Sequence, residues 1–271
     1  MSGLIIPSPV RPSYKTGFAH HAGESAYPSL WGGLVGAWVP ELDSQIALTN
    51  HVDGIRATAG AGLAQSDKMR FKGVACINYS SLTTSSLSVV NRWGINPRNT
   101  PTTVMSRCNI DVIKNYNVIF QNAAGNAEWL VSRAASINAY SYISANTFAG
   151  TDFVAGQWST ICTTIAANGA ATAPVQCWLD GLAGAALVRT IPSVTDDYII
   201  GAHHSTNSWS MDGKIAETYL WDRVLQPAEI RQIQRDPLAP FRRRRFVAST
   251  AAAAAAGFKP WFTNVNRLSM T

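Results

Sequence analysis

Along the middle of the chain, branched and aromatic residues recur in short runs separated by Gly, Asp, Asn and Ser. Residues 102–106, 118–120, 128–132, 139–143, 158–165 and 175–179 each read as a strand on this pattern. Two later runs, 198–201 and 215–221, read the same way, and Asp180-Gly181 marks a tight turn after the 175–179 strand. Only one segment changes period. Between Gln226 and Ile233, Pro227 occupies a first helical turn, where a missing N–H is harmless, and Ile230 and Ile233 fall on one face. This predicts a single amphipathic helix beside an all-β body, ended at Asp236 because that residue precedes Pro237.

Composition sharpens the picture. The chain has 271 residues, and β-sandwiches of roughly 200–250 residues commonly form one unit. Apolar residues make up 46% and charged residues only 14%, against a usual charged share of about 25%. The surface is therefore largely uncharged Ser, Thr and Asn, or is covered by partners. Three zones separate. Residues 1–32, interrupted by Pro7, Pro9, Pro12 and Pro28, read as an extended N-terminal arm. The body spans 33–236. Residues 237–271, with Arg242, Arg243, Arg244 and Arg245, a run of alanines and then Phe258, Trp261 and Phe262, read as an extended C-terminal arm. The net charge of +6 falls to +2 without those four arginines, so basicity is concentrated at one hinge rather than spread over a nucleic-acid-binding face. No apolar run approaches the roughly 20 residues that span a bilayer, and no secretory signal precedes the body, so assembly in a cytoplasm is expected. Cys76, Cys108, Cys162 and Cys177 have no metal-site spacing and are expected as free, strand-buried thiols.

The order Trp158, then Trp178-Leu179-Asp180-Gly181, then Ile200-Gly201, then the strand ending at Trp221 and its helix resembles the closing half of a laminin-G-like (concanavalin A-like) domain. The form it resembles is the one found in structural proteins of tailed phages. GLVGAWVP from Gly33 is similar to the first strand of that domain, and KMRFKGVACINY from Lys68 to the next strand, with Lys72 where the family usually has Asp. The resemblance implies a two-sheet antiparallel jelly-roll sandwich whose core takes Trp38, Trp158, Trp178, Ile200 and Trp221. It also implies a virion location. Laminin-G relatives can hold calcium on loop acids, for which Asp196, Asp197 and Asp212 are the available residues, but the acidic supply is thin and no cofactor is expected.

Fold alone does not give function. Glycosidases on this sandwich place a carboxylate pair about 5 Å apart on one strand face. The chain has no such spacing: Glu217 and Asp222 are five apart and point to opposite faces, so no catalytic residue is assigned. The segment Ser208-Trp209-Ser210-Met211-Asp212-Gly213 matches a sialidase Asp-box only in part and reads as a turn. The histidines, His20-His21, His51 and His203-His204, lack metal-binding spacing. The expectation is a non-enzymatic virion structural protein, such as a capsid decoration protein, contacting other virion proteins and copies of itself. Its partner contacts would be Arg242, Arg243, Arg244, Arg245, Phe258, Trp261 and Phe262. The alternative is a carbohydrate- or receptor-binding module of a virion fibre, with Trp93 and Trp209, both in polar loops, as glycan contacts.

Overall fold

In the computed structural model the described residues are 17–80, 85–114, 117–123, 154–203 and 210–244, with the backbone of 127–133, 136–141 and 144–147. Among them the larger sheet runs β13 (Leu182–Ala183), β12 (Thr172–Leu179), β11 (Trp158–Ile165), β6 (Thr102–Ile110), β16 (Gly213–Trp221), β4 (Val74–Tyr79), β3 (Lys68–Phe71). Beside this path, β1 (Leu34–Trp38) pairs with β16 and β14 (Leu187–Thr190) with β12. The smaller sheet runs β10 (Ser144–Thr147), β9 (Ser136–Ser141), β8 (Ala127–Arg133), β7 (Asn117–Asn122), β15 (Tyr198–Ile200), β5 (Leu87–Val89), β2 (Thr58–Ala59). All these pairings are antiparallel. The expected two-sheet sandwich is present. No helix among the described residues is long and apolar enough to cross a membrane.

Turn chemistry sets the hairpins. Asp180 and Gly181 both have positive φ, 48° and 78°, the requirement of the two-residue turn that matches strand twist. Lys72 and Gly73, at 51° and 79°, do the same between β3 and β4. The stretch from Lys68 to Tyr79, which resembles one strand in the sequence, is thus a hairpin. Gly213 has another role. At φ +154° it opens β16, and a methyl group there would collide with the backbone carbonyl of Asn109. Gly213→Ala is expected to cost about 2–3 kcal/mol in urea unfolding, because backbone rather than a flexible side chain must yield. Gly169→Ala, whose methyl meets nothing within 4 Å, is expected to lose only about 1 kcal/mol from its left-handed backbone. Equal losses at the two sites would contradict the packing argument.

The helix α1 (Pro227–Arg235) lies where the sequence places it, and its Ile230 and Ile233 are buried. Glu229 accepts a hydrogen bond from the Gln226 backbone N–H at 2.9 Å and holds Arg223 through both carboxylate oxygens. This fixes the helix start against the end of β16.

Among the described residues two cores exist rather than one. Between the sheets pack Trp38, Tyr79, Phe120, Tyr198 and Ile200 with their aliphatic neighbours. A second cluster covers the outer face of the larger sheet: Met105, Cys162, Trp178, Tyr219 and Trp221 meet Ile230, Ile233, Leu30, Ala239 and Phe241. Trp178 and Trp221 therefore leave the inter-sheet core assigned to them. Trp158 belongs to neither cluster and is half-buried on the outer face. The cause is that β16 is apolar on both sides, and an apolar face left in water must be covered.

That need also corrects the arm boundaries. Residues 17–32 and 237–244 are folded on to the body rather than extended. Phe18 bridges to Arg242 and Ser25 to Arg243, Ala19 N–H donates to the Phe241 carbonyl at 2.7 Å, and Ala26 N–H to that of Arg242 at 2.7 Å. Ser25 Oγ donates to the Pro240 carbonyl, and Trp221 Nε1 to that of Leu30. The two segments form one strap over the outer core. All four cysteines are buried thiols, and burial raises the thiol pKa of Cys76, Cys108 and Cys162.

Candidate functional site

Beyond the strap, the outer face of the larger sheet opens into a cleft of about 360 Å³. Its floor comes from two strands. The register of β16 against β6 slips between Ile215 and Glu217. Such a bulge inserts one residue and re-aims the side chains beyond it, so Glu217 joins the outward row of Tyr219 and Trp221. Arg107, its register partner on β6, faces the same way. The walls carry Glu41, Arg70, Asp236, Arg242 and Phe18.

The charged groups are arranged in pairs. Arg70 Nη2 holds both oxygens of Glu41 at 2.7 and 2.6 Å. Arg242 grips Asp236 with Nε and Nη2 at 2.8 and 2.9 Å, a two-point contact that fixes both planes. The third pair is incomplete. Glu217 Oε1 is 4.0 Å from Arg107 Nη1, and Glu217 Oε2 is buried without a hydrogen-bond partner. Burial pushes the Glu217 carboxyl up to about 7 from 4.5, with Arg107 pulling the other way. Arg107 cannot simply collapse on to Glu217, because its guanidinium is stacked on Trp158, 5.2 Å from the ring centroid. Next to this, Phe71 lies 6.3 Å from Trp158, Lys214 sits over Phe71 at 4.5 Å, and both oxygens of Asp111 hold Lys214.

A carboxylate can accept about four hydrogen bonds and a guanidinium can donate five, so each pair in the lining has capacity beyond its mutual contact. Such pairs suit a ligand rich in hydroxyls. Glu41 and Asp236 are each paired with an arginine. Asp222 is exposed beyond the end of β16 and does not line the cleft. Among the described residues, no group of three or more His, Cys, Asp or Glu is placed to hold a metal ion. Asp212 pairs with Lys114 at 3.2 Å, Asp197 accepts the Asn91 N–H, and the Asp196 carbonyl accepts from Asn122.

The residues singled out from the sequence lie elsewhere. Trp93 is half-buried against the inter-sheet core, edge-on to Trp38 at 6.2 Å, and closes a small recess with Asn50, Asp53 and Arg56. Of the described arginines in the run, only Arg242 reaches the cleft. Arg243 meets Glu24 at 3.6 Å, and Arg244 Nε donates to the Ser25 carbonyl. Trp209, Arg245, Phe258, Trp261 and Phe262 lie outside the described residues. Sequence reading missed Glu41, Arg70 and Arg107 because they come from separate segments. A usable signal existed: in a chain this poor in charge, Arg107 within TTVMSRCNI and Glu217 within GKIAETYLW are charges inside apolar strands.

Among solved structures, the Trypanosoma rangeli sialidase in complex with the inhibitor DANA is similar at TM-score 0.54 and 15% identity over 76% of this chain. The match spans about a third, 34%, of the sialidase chain. Domain 4 of AbnA, a GH43 extracellular arabinanase from Geobacillus stearothermophilus in complex with arabinotriose, matches at 0.53 and 11% identity, over 74% of this chain and 98% of that domain. The binding domain of Paraclostridial Mosquitocidal Protein 1 matches at 0.57 and 12%, over 74% of this chain and 52% of that one. At these identities the likeness is one of fold. No curated protein matches in sequence. The family model described as the concanavalin A-like lectin/glucanases superfamily, of laminin-G type, matches residues 65–231. With the two antiparallel sheets and the helix behind them, that match means that the chain belongs to the concanavalin A-like lectin/glucanase superfamily.

Proposed function

We propose that the protein is a non-catalytic, lectin-like carbohydrate-recognition module, and that the cleft over Glu217 and Arg107 is its saccharide site. The observation that carries this is the cleft's stock of planar polar side chains, fixed in two closed ion pairs around the open pair of Glu217 and Arg107. Such groups recognise hydroxyls by direct hydrogen bonds at little cost in side-chain ordering, because they are already held. The domain-length likeness to a module solved with arabinotriose supports the same reading. A glycan array followed by titration calorimetry tests it. Binding of at least one oligosaccharide class without release of reducing ends is expected. Arg70→Ala should weaken that binding about tenfold while barely changing stability, since exposed ion pairs contribute little to folding. Failure to bind any glycan, or hydrolysis of one, would overturn the reading.

One observation favours a second reading. Gly17 and Arg244, which adjoin segments 1–16 and 245–271, belong to the same strap, since Phe18 bridges to Arg242 and Arg244 N–H donates to Glu24. The two end segments thus join the body on one side, where both could engage one neighbour. In this reading the protein is a virion structural component, such as a capsid decoration protein. Arg245, Phe258, Trp261 and Phe262 would be its contacts with other virion proteins or copies of itself. Deleting 245–271 should then leave the body's thermal unfolding unchanged and abolish incorporation into particles. A deletion starting at Arg242 would not serve, because it would also cut the strap. Unchanged occupancy after the shorter deletion would remove this reading.

A further inference from the structure

We infer that the saccharide held in this cleft is an uncharged one, and that one of its hydroxyls sits between Glu217 Oε1 and Arg107 Nη1. The inference rests on the cleft being the saccharide site and adds which class of saccharide it takes. Its first support is the charge inventory of the lining. Glu41, Glu217 and Asp236 face Arg70, Arg107 and Arg242, so the acidic and basic groups are equal in number. Two of these pairs are closed, with both carboxylate oxygens engaged. With Glu217 ionised, as it is above pH 7, no charge among the described lining residues is left over to neutralise a ligand carboxylate or ammonium.

The second support is the open pair. Glu217 is 4% exposed with Oε2 wholly buried, and the nearest guanidinium nitrogen stands 4.0 Å from the other oxygen, Oε1. That spacing is too long for a hydrogen bond. Stacking on Trp158 keeps Arg107 from closing it. A group that completes the site must donate to a carboxylate and accept from a guanidinium at the same time. A hydroxyl does both with one atom. A uronate or sialate carboxylate could accept from Arg107 but would set a second anion against Glu217, and an ammonium could donate to Glu217 but would face Arg107. Either charged group would have to be desolvated beside a like charge in a partly buried site, where the repulsion is poorly screened.

The test, run at pH 8 so that Glu217 is ionised, uses the whole 271-residue chain on an array of neutral arabinan, xylan, mannan and glucan oligosaccharides, with uronate and amino-sugar oligomers as the charged panel. Wild type, Glu217→Gln, Glu217→Leu and Arg107→Ala are compared. Neutral oligomers are expected to bind and charged ones to bind more weakly. Glu217→Leu and Arg107→Ala should each weaken neutral binding about tenfold or more, because a hydroxyl that loses a buried partner loses its place. Glu217→Gln keeps a carbonyl acceptor and adds an N–H donor, so it should stay within about threefold of wild type. Should Glu217→Leu fail to fold, the partly exposed Arg107 carries the comparison alone. Charged oligomers binding as tightly as neutral ones, or neutral binding indifferent to both Glu217→Leu and Arg107→Ala, would overturn the inference while leaving a carbohydrate module in place. Binding of neither panel would overturn the carbohydrate reading itself, and the inference with it.

Discussion

Glu217→Gln raises the thermal midpoint of the protein at pH 8 and leaves it nearly unchanged at pH 4. The sign comes from where the proton goes. In the unfolded chain this carboxyl titrates near 4.5, and in the fold near 7, because burial disfavours the anion more than Arg107 favours it. Below pH 4.5 the group is protonated in both states and its ionisation contributes nothing. As pH rises from there, the unfolded chain releases the proton while the fold retains it, so stability falls, and the full cost is present above pH 7. At about 1.4 kcal/mol per unit of pKa, that cost is on the order of 3 kcal/mol. An amide of the same shape removes the ionisation and the cost with it. The measurement is a series of thermal melts of both proteins from pH 4 to pH 8. All other titrations are common to the pair and cancel in the difference. A constant offset across the range would show that Glu217 carries no such penalty.

Phe241→Ala loosens the strap and destabilises the whole protein. The Phe241 ring is 1% exposed and packs against Trp31, His51 and Tyr219 at centroid distances of 5.5, 5.9 and 6.4 Å. Truncating such a ring costs about 3–5 kcal/mol, the lost transfer energy plus the cavity left behind. For a chain of this size the melting temperature should fall by roughly 10 °C. The loss should be global, since the ring joins residues 17–32, β16 and the segment after α1. Limited proteolysis should accordingly cut within 17–32 sooner than in wild type. Val188→Ala, at a side chain 66% exposed, serves as the control and should stay within about 0.5 kcal/mol. A loss below about 1 kcal/mol at Phe241 would mean that the outer core contributes little and that the strap merely rests on the sheet.

Local chemistry is enough for much of the architecture. The strand from Trp158 to Ile165 and the helix from Pro227 to Arg235 form as their patterns predict. The Asp180-Gly181 turn forms because both residues tolerate positive φ. Lys72-Gly73 obeys the same rule but is hidden in the sequence, because Lys is an unusual first residue of such a turn and the flanking residues read as one continuous strand. Alternation fails at β16 for a similar reason. The bulge at Ala216 shifts the phase of every later residue, so counting by twos from Ile215 puts Glu217 on the same face as Ile215, whereas the fold turns it outward.

Fold class and the helix from Pro227 to Arg235 are legible in the amino-acid order. Each rests on residues near one another in the chain, whose propensities and turn chemistry act locally. Three further features exist only once the chain is folded: Trp178 and Trp221 belong to a second core, residues 17–32 and 237–244 close over it, and Arg70, Arg107, Glu217, Asp236 and Arg242 share one cleft. These depend on which face of a doubly apolar strand is left uncovered and on which distant segment reaches it. Burial energy is non-directional and blind to separation along the chain, so no local pattern records the choice.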